Sequence, residues 1–346
     1  MVLKGYEVVL DNPWNTYYAG QIVNGKVNLT FDSTKKVRGI MIRFLGEANT
    51  EWSDTRRVTN SEGRDEEETV TYKGHEEYFQ IQYYLLGGEN SAEIELPAGT
   101  HTYQFTCSLP PILPSSFEGQ FGHVRYTIKA TLDRPSKFDQ VMEMAFTVIA
   151  PMDLNLNPRV KKPFKLELEK TFSCYCCPSG RLFVAATIPV IGYVSGQVIP
   201  ITCECDNASN VDITTVALML RKRVTFHAQW PHTEAKVSEI TVAKLAIGPI
   251  GANESRTFTQ ELEIPPLPPT NLVNCGIIGL NYDLHIECYV SGPHPNLNGN
   301  IPLMLGANPL ASFPNPHTDI PTQVSTQADQ NPSSYRVVGG TENHRS

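Results

Sequence analysis

Residues 17–32 read YYAGQIVNGKVNLTFD, and residues 192–206 read GYVSGQVIPITCECD. In the first stretch Gly20, Gly25 and Lys26 fill the first seven places of a phosphate-cradling Gly-x-x-x-x-Gly-Lys loop. Such a loop next needs Ser or Thr for magnesium, and then a helix whose N-terminal amides face the phosphates. Val27 stands there instead, and from Lys26 to Asp32 the apolar side chains fall at every second position, which is strand periodicity. The nucleotide reading loses both a chemical group and its structural context. A repeat explains the stretch better: Gly20-Gln21-Ile22-Val23 aligns with Gly196-Gln197-Val198-Ile199, and each leads into an alternating strand.

Other landmarks recur in the same order. YQFTCSLPPILPSSF from Tyr103 matches TQELEIPPLPPTNL from Thr259, with Pro110-Pro111 against Pro265-Pro266, and Tyr126 then matches Tyr282. The paired glycines read as tight turns at backbone angles that other residues disfavour. The double prolines end a strand in an extended connection that cannot join a sheet centre. Short β-branched and aromatic runs punctuated by 26 prolines and 24 glycines, without 3.6-residue periodicity, predict an all-β protein. Candidate strands fall into two sets, from Glu7–Leu10 to Met142–Ile149 and from Leu182–Pro189 to Tyr282–Val290, which suggests two sandwiches. The expected domains are 1–151, 152–306 with the linker PMDLNLNPRVKKP at its start, and a tail, 307–346. That tail is too rich in Pro, Ser, Thr, Gln and Asn to bury a core and is expected to be disordered. The first copy carries a charged surplus near Glu51–Glu77, expected as an exposed loop or long hairpin with partner binding as the alternative.

The net charge of −8 gives no global attraction to nucleic acid or anionic membrane. The N-terminal residues lack a signal peptide's apolar core, and no apolar run approaches the ~18 residues of a bilayer span, so the expected compartment is the cytosol. The eight cysteines are unevenly spaced and are expected to be reduced. Asn-x-Ser/Thr triplets at Asn28, Asn207 and Asn253 are expected to be chance.

The segments LDNPWNTYYAGQIVNGKV, KATLDRPSKFD from Lys129, FSCYCCPSGRLFVAATIPVIGYVSGQVIPITCECDNAS from Phe172 and IPLMLG from Ile301 together resemble the arrestin superfamily, specifically the arrestin domain-containing proteins, or α-arrestins. The resemblance implies two tandem arrestin-like, immunoglobulin-type β-sandwiches and a non-enzymatic adaptor without cofactor. It further implies binding of membrane-protein cargo such as receptors and transporters, directing endocytosis, sorting or ubiquitin-dependent turnover. The protein would then be cytoplasmic, reaching the plasma membrane or endosomes peripherally through cargo. Family members engage Nedd4-type ubiquitin ligases through Pro-Pro-x-Tyr motifs that dock as extended segments. Here the nearest approach is Pro332-Ser333-Ser334-Tyr335, so a sorting scaffold independent of a ligase is the alternative. One relative binds thioredoxin through a cysteine near the region reading AIGPIGANESRTF here, where no cysteine stands.

Other constellations are weaker. Cys174, Cys176 and Cys177, with Cys203 and Cys205, could supply thiolates to zinc, and the Cys174 to Cys177 cluster could be lipidated, but Ile201, Cys203 and Cys205 share one face of an alternating strand, where cysteine is a small hydrophobe. No metal site and no catalytic residue is assigned. Asp133 and Arg134 read as a turn closing a strand. Candidate partner-binding residues are Lys161 and Lys162 near the linker, Arg221, Lys222 and Arg223 on a strand, and Pro332 and Tyr335 in the tail. Clustered cations suit phosphorylated tails or anionic lipid. A secreted disulfide-bonded adhesion module and a nucleotide enzyme using Lys26 are the rivals from other classes.

Overall fold

The computed structural model describes residues 3–59, 64–135, 138–174, 177–270, 272–311 and 322–327. Strand makes up 70% of the structure and helix 2%, so the expected all-β class holds. By contact density the chain divides into one unit of Met1–Pro151, Val224–Ser238 and Leu272–Gly279, and another of Met152–Arg223, Glu239–Asn271 and Leu280–Ser346. Two segments expected in the second domain, Val224–Ser238 and Leu272–Gly279, thus cluster with the first. Lys73 explains part of this: its amide donates to Trp230 O, and its carbonyl accepts from the amides of Gln229 and Trp230.

The first stretch of chain forms β1 (Leu3–Leu10), β2 (Thr16–Tyr18), β3 (Ile22–Phe31), β4 (Lys35–Val37), β5 (Gly39–Thr59), β6 (Asp65–Gly87), β7 (Ile94–Leu96), β8 (Gly99–Ser108), β9 (Phe117–Gly119), β10 (Gly122–Asp133) and β11 (Gln140–Ile149). They build a sheet β1-β3-β8 and a sheet β2-β11-β10-β5-β6, with β9 on β10 and a small β4-β7 pair. Phe44 of β5 meets Phe105 of β8 edge-on with ring centroids 5.7 Å apart, joining the two sheets through the core.

The second stretch forms β12 (Phe164–Cys174), β13 (Cys177–Ile188), β14 (Gly192–Val194), β15 (Val198–Ser209), β16 (Ile213–Ala228), β17 (Glu234–Ile247), β18 (Glu254–Glu263), β19 (Ile278–Val290), β20 (Leu297–Gly306) and β21 (Thr322–Gln327). Its sheets run β18-β15-β13-β12-β21 and β14-β20-β19-β16-β17. They pack closely enough that a Cβ on Gly299 of β20 would stand 2.6 Å from Leu168 of β12.

The repeated Gly-Gln stretch carries the chain from one sheet of each sandwich to the other. β2 pairs in parallel with β11, while β3, just past the turn, pairs with β1 and β8. β14 pairs in parallel with β20, while β15 pairs with β13 and β18. Both glycines have φ of 82°, the left-handed region that a Cβ disfavours. The Gln21 side-chain carbonyl accepts from the Tyr18 amide at 2.8 Å, and that of Gln197 from the Val194 amide at 2.8 Å. The amide of Gly20 donates to Pro110 O and that of Gly196 to Ile264 O, each at 2.9 Å, tying the turn to the strand that ends in the double proline. The matched tyrosines close the far side of the same connection: Tyr126 Oη donates to Pro114 O at 2.6 Å, and Tyr282 Oη to Pro268 O at 2.8 Å.

The charged surplus in the first copy is a hairpin. Strands β5 and β6 pair from Gly39↔Gly87 to Thr59↔Asp65. Trp52 stacks on Tyr72 at 5.5 Å, and further out the pairs are polar, Ser53 with Thr71 and Arg56 with Glu68. The linker segment forms two short 3-10 turns, Leu154–Leu156 and Pro158–Lys161, capped by the side chains of Asp153 and Asn157. Leu154 and Val160 are buried there, which gives these turns a packing role. Asn207 is buried, and its Nδ2 donates to Val211 O and Gly251 O, so this triplet serves to close a turn. Within the tail, the main chain of Thr322–Gln327 pairs in parallel along the edge of β12.

Replacing Gly20 or Gly196 by Ala is expected to cost about 1 kcal/mol each. Neither site has a steric obstacle, since the nearest atom to an added Cβ is 3.5 Å away at Gly20 and nothing lies within 4 Å at Gly196. Urea denaturation would read the loss, and Gly→Asn at either site should cost less. Tyr126→Phe strands a buried carbonyl and is expected to lose about 1–3 kcal/mol by the same measurement.

Candidate partner-binding surfaces

A sandwich built of sheets presents edges and faces to partners. On β8 the outer edge is closed at Thr106, whose amide donates to Tyr83 Oη at 3.1 Å and whose carbonyl accepts from it at 2.7 Å. β2 covers β11 only at Thr147–Ile149. β17 and β18 are outermost in their sheets, and Ile240 on β17 is 54% exposed. The edge of β12 away from β13 carries β21.

The basic strand of the second unit has partners of its own. Alternation along β16 puts Arg221 and Arg223 on one face. Arg221 Nε lies 2.8 Å from Asp283 Oδ1 on β19, its Nη1 2.8 Å from Glu239 Oε1 on β17, and its Nη2 donates to Asn300 Oδ1 on β20 at 2.8 Å. Arg223 donates twice to Glu239 Oε2. His285 Nδ1 is 2.6 Å from Asn300 Oδ1. Asp283 is 8% exposed, so the pair is largely withdrawn from water. Burial pushes the Glu239 carboxyl up, but the hydrogen bonds from Arg223 and the charges of Arg221 and Arg223 outweigh it and hold the group below the ordinary 4.5. Arg221 and Arg223 are thus engaged internally, as partners of carboxylates rather than as a bare cationic patch. Neighbouring sequence could not signal this, because the carboxylates arrive from β17 and β19.

The remaining predicted residues sit apart. Lys161 is half-buried at the end of the second 3-10 turn and Lys162, its cap, is exposed. Lys222 lies on β16 between the two arginines. Pro332 and Tyr335 lie outside the described residues. Among the described residues of this set, the structure brings together only those of β16.

The nucleotide reading fails on geometry. Gly20 is in the left-handed turn, whereas Gly25 lies inside β3, where an added Cβ would be 2.5 Å from Val9 O and 2.6 Å from the Phe105 ring. Gly25 is therefore explained by strand packing, and a strand rather than a helix follows Lys26. Cys203, Cys205 and Cys288 are buried. Burial pushes the Cys203 thiol up to about 12 and that of Cys205 to about 11, and raises Cys288 well above the usual range, so all three are neutral thiols packed as hydrophobes. Cys174 and Cys177 are register partners in the β12–β13 ladder, and Cys176 lies outside the described residues. Among the described residues, no cluster of His, Cys, Asp and Glu could hold a metal, and five cysteines are free. Asp133 is held by Arg38 Nη2 at 2.7 Å, and Arg134 Nε donates to Phe138 O at 3.0 Å, closing the connection to β11.

Arg221→Met is expected to destabilise the protein by about 3 kcal/mol at neutral pH, because it strands the buried carboxylate of Asp283 and removes a partner from the more exposed Glu239. Glu239, depressed in the folded state, contributes stability above the unfolded pKa and loses it as pH falls through the folded value. The penalty of Arg221→Met should therefore shrink toward acid, as Glu239 protonates. Urea midpoints from pH 7 down through 4.5 to about pH 3, where carboxylates titrate, would show it; a constant penalty would mean that the charges do not couple.

Comparison with known proteins agrees with this architecture. The family described as "Arrestin (or S-antigen), N-terminal domain" matches residues 6–155, and "Arrestin (or S-antigen), C-terminal domain" matches residues 178–310. The chain is 32% identical over 306 residues to arrestin domain-containing protein 17 of Caenorhabditis elegans, covering 87% of this chain and 71% of that one. It is 27% identical over 322 residues to arrestin domain-containing protein 4 of Mus musculus, covering 91% and 74%, and 28% identical over 307 residues to the mouse thioredoxin-interacting protein, covering 88% and 74%. With both halves of the repeat matched in order, the chain belongs to the family of arrestin domain-containing proteins, the α-arrestins.

Proposed function

We propose that this protein is a non-enzymatic adaptor that binds membrane-protein cargo, such as receptors or transporters, and directs its endocytosis, sorting or ubiquitin-dependent turnover. The observation that carries the reading is the pair of arrestin domains, matched at 6–155 and 178–310 and occupying most of the chain before the tail. The polar groups singled out in the sequence have structural partners instead of a poised acid, base or nucleophile: Asp133 with Arg38, and Arg221 with Asp283 and Glu239. No helix among the described residues is long and apolar enough to cross a membrane. Cytoplasmic residence, with recruitment to the plasma membrane or endosomes through cargo, fits an adaptor of this kind. Thioredoxin binding, named for one relative, is not carried over, because no cysteine stands in residues 246–258 or just before them.

A second reading has an observation of its own. The 346 residues contain no Pro-Pro-x-Tyr, and Pro332 to Tyr335 lacks the second proline. A sorting scaffold that acts on endosomes without a ligase accommodates this.

Affinity purification of the full chain, of Tyr335→Ala and of a chain ending at Gly306 separates the two. Membrane cargo recovered with all three, and Nedd4-type ligase only with the intact tail, would support the ubiquitin-linked adaptor. Cargo without ligase in any of them would leave the sorting scaffold. Absence of membrane cargo throughout would overturn both.

A further inference from the structure

The outer edge of β12 has an occupant that arrives from far along the chain. β21 pairs on it in parallel, with Lys165 opposite Thr322, Glu167 opposite Val324 and Lys170 opposite Gln327. The occupant reads TQVSTQ, in which Val324 is the one apolar residue and no residue is charged. Such a sequence carries little apolar surface. Main-chain hydrogen bonds to the β12 edge must supply most of the attachment, and they do not depend on which extended segment makes them.

Charge does not select the occupant either. Lys165 Nζ lies 2.8 Å from Glu167, Glu169 lies 3.6 Å from Arg181, and Lys170 Nζ donates to Pro295 O at 2.7 Å, so the charged residues along β12 already have partners within the chain. The tail is held close to this edge before it reaches it. The Ala307 amide donates to Met152 O at 2.9 Å, Asn155 Nδ2 to Pro309 O at 3.0 Å, and the Ala311 amide to Asn155 Oδ1 at 3.0 Å. The end of the sandwich is thus pinned to the segment that leads into β12, and the tail meets the edge as a tethered ligand at high effective concentration. Against this gain stands the entropy of ordering six residues, five of them polar.

We infer that the outer edge of β12 is an acceptor site for an extended peptide, filled in the resting chain by residues 322–327 and taken in the same parallel register by an extended, uncharged segment of a partner when the tail leaves. The inference deepens the adaptor reading by naming a route of recognition, and it rests on that reading only where the partner is called cargo.

Two experiments on the full chain test it. Glu167→Cys with Val324→Cys places thiols at register partners, whereas Glu167→Cys with Gln327→Cys displaces them by three positions, about 10 Å along the strand and beyond disulfide reach. Mild oxidation is expected to close an intramolecular disulfide in the first pair and not in the second. In the second experiment Val324→Pro removes an amide donor and disfavours the tail strand. A labelled peptide of residues 319–330 is expected to bind this variant at least about ten-fold more tightly than the unaltered chain, while β12 amides exchange faster in the variant. The same peptide carrying proline at position 324 should not bind.

Equal cross-linking of both pairs, cross-links between two copies, or peptide binding and amide exchange that are the same in both chains would overturn the proposal. Should Val324→Pro fail to fold, the cross-linking pairs decide alone. Failure to recover membrane cargo with the full chain would count against the adaptor reading and leave these outcomes unaffected.

Discussion

The turn built from a left-handed glycine and a glutamine is the constraint on which both sandwiches depend. A sandwich needs its chain to pass between sheets without leaving polar main chain unpaired. Here Gly20 and Gly196 supply the backbone angle, and the side chains of Gln21 and Gln197 accept the amides of Tyr18 and Val194 that the crossing would otherwise strand. The three-residue strands β2 and β14 can then join one sheet while β3 and β15 run into the other. Tyrosine hydroxyls bound to the carbonyls of Pro114 and Pro268 fix the opposing connection. The same device appears twice because each half of the repeat has the same crossing to make.

Polar groups elsewhere in the protein mostly serve the fold. Arg221 is shared among Asp283, Glu239 and Asn300, and Tyr83 satisfies both main-chain groups of Thr106 on a sheet edge. Burial keeps the thiols of Cys203, Cys205 and Cys288 neutral and unreactive. Main-chain pairing can also carry recognition. The β12 edge, already holding an extended segment, is an instance of such recognition within the chain.

Alternating patterns, turn glycines and the order of repeated landmarks are local properties, and they were sufficient for the class, most strands and the two-part organisation. The alternation of β15, with Ile199, Ile201, Cys203 and Cys205 buried, is visible directly as every second residue. The hairpin of β5 and β6 was foreseen only as one of two possibilities, because a charged run is compatible with a loop or with a ladder whose two faces are both wet. The fate of Arg221 and Arg223 was not legible at all. Their cationic character is written in the sequence, but their carboxylate partners lie 16 or more positions away, on strands whose adjacency follows from topology.

The sequence by itself therefore determined where the chain turns, which strand faces are apolar, and that the same crossing occurs twice, since these follow from side-chain periodicity and from the backbone freedom of glycine and proline. Only the tertiary structure decided which charges neutralise one another, which segments cluster with which unit, and that Thr322–Gln327 completes the edge of β12. The physical reason is the same in each case. Hydrogen bonds and ion pairs depend on distance in space, and strand pairing between residues more than 150 positions apart, as between Lys165 and Thr322, leaves no trace in the neighbourhood of either.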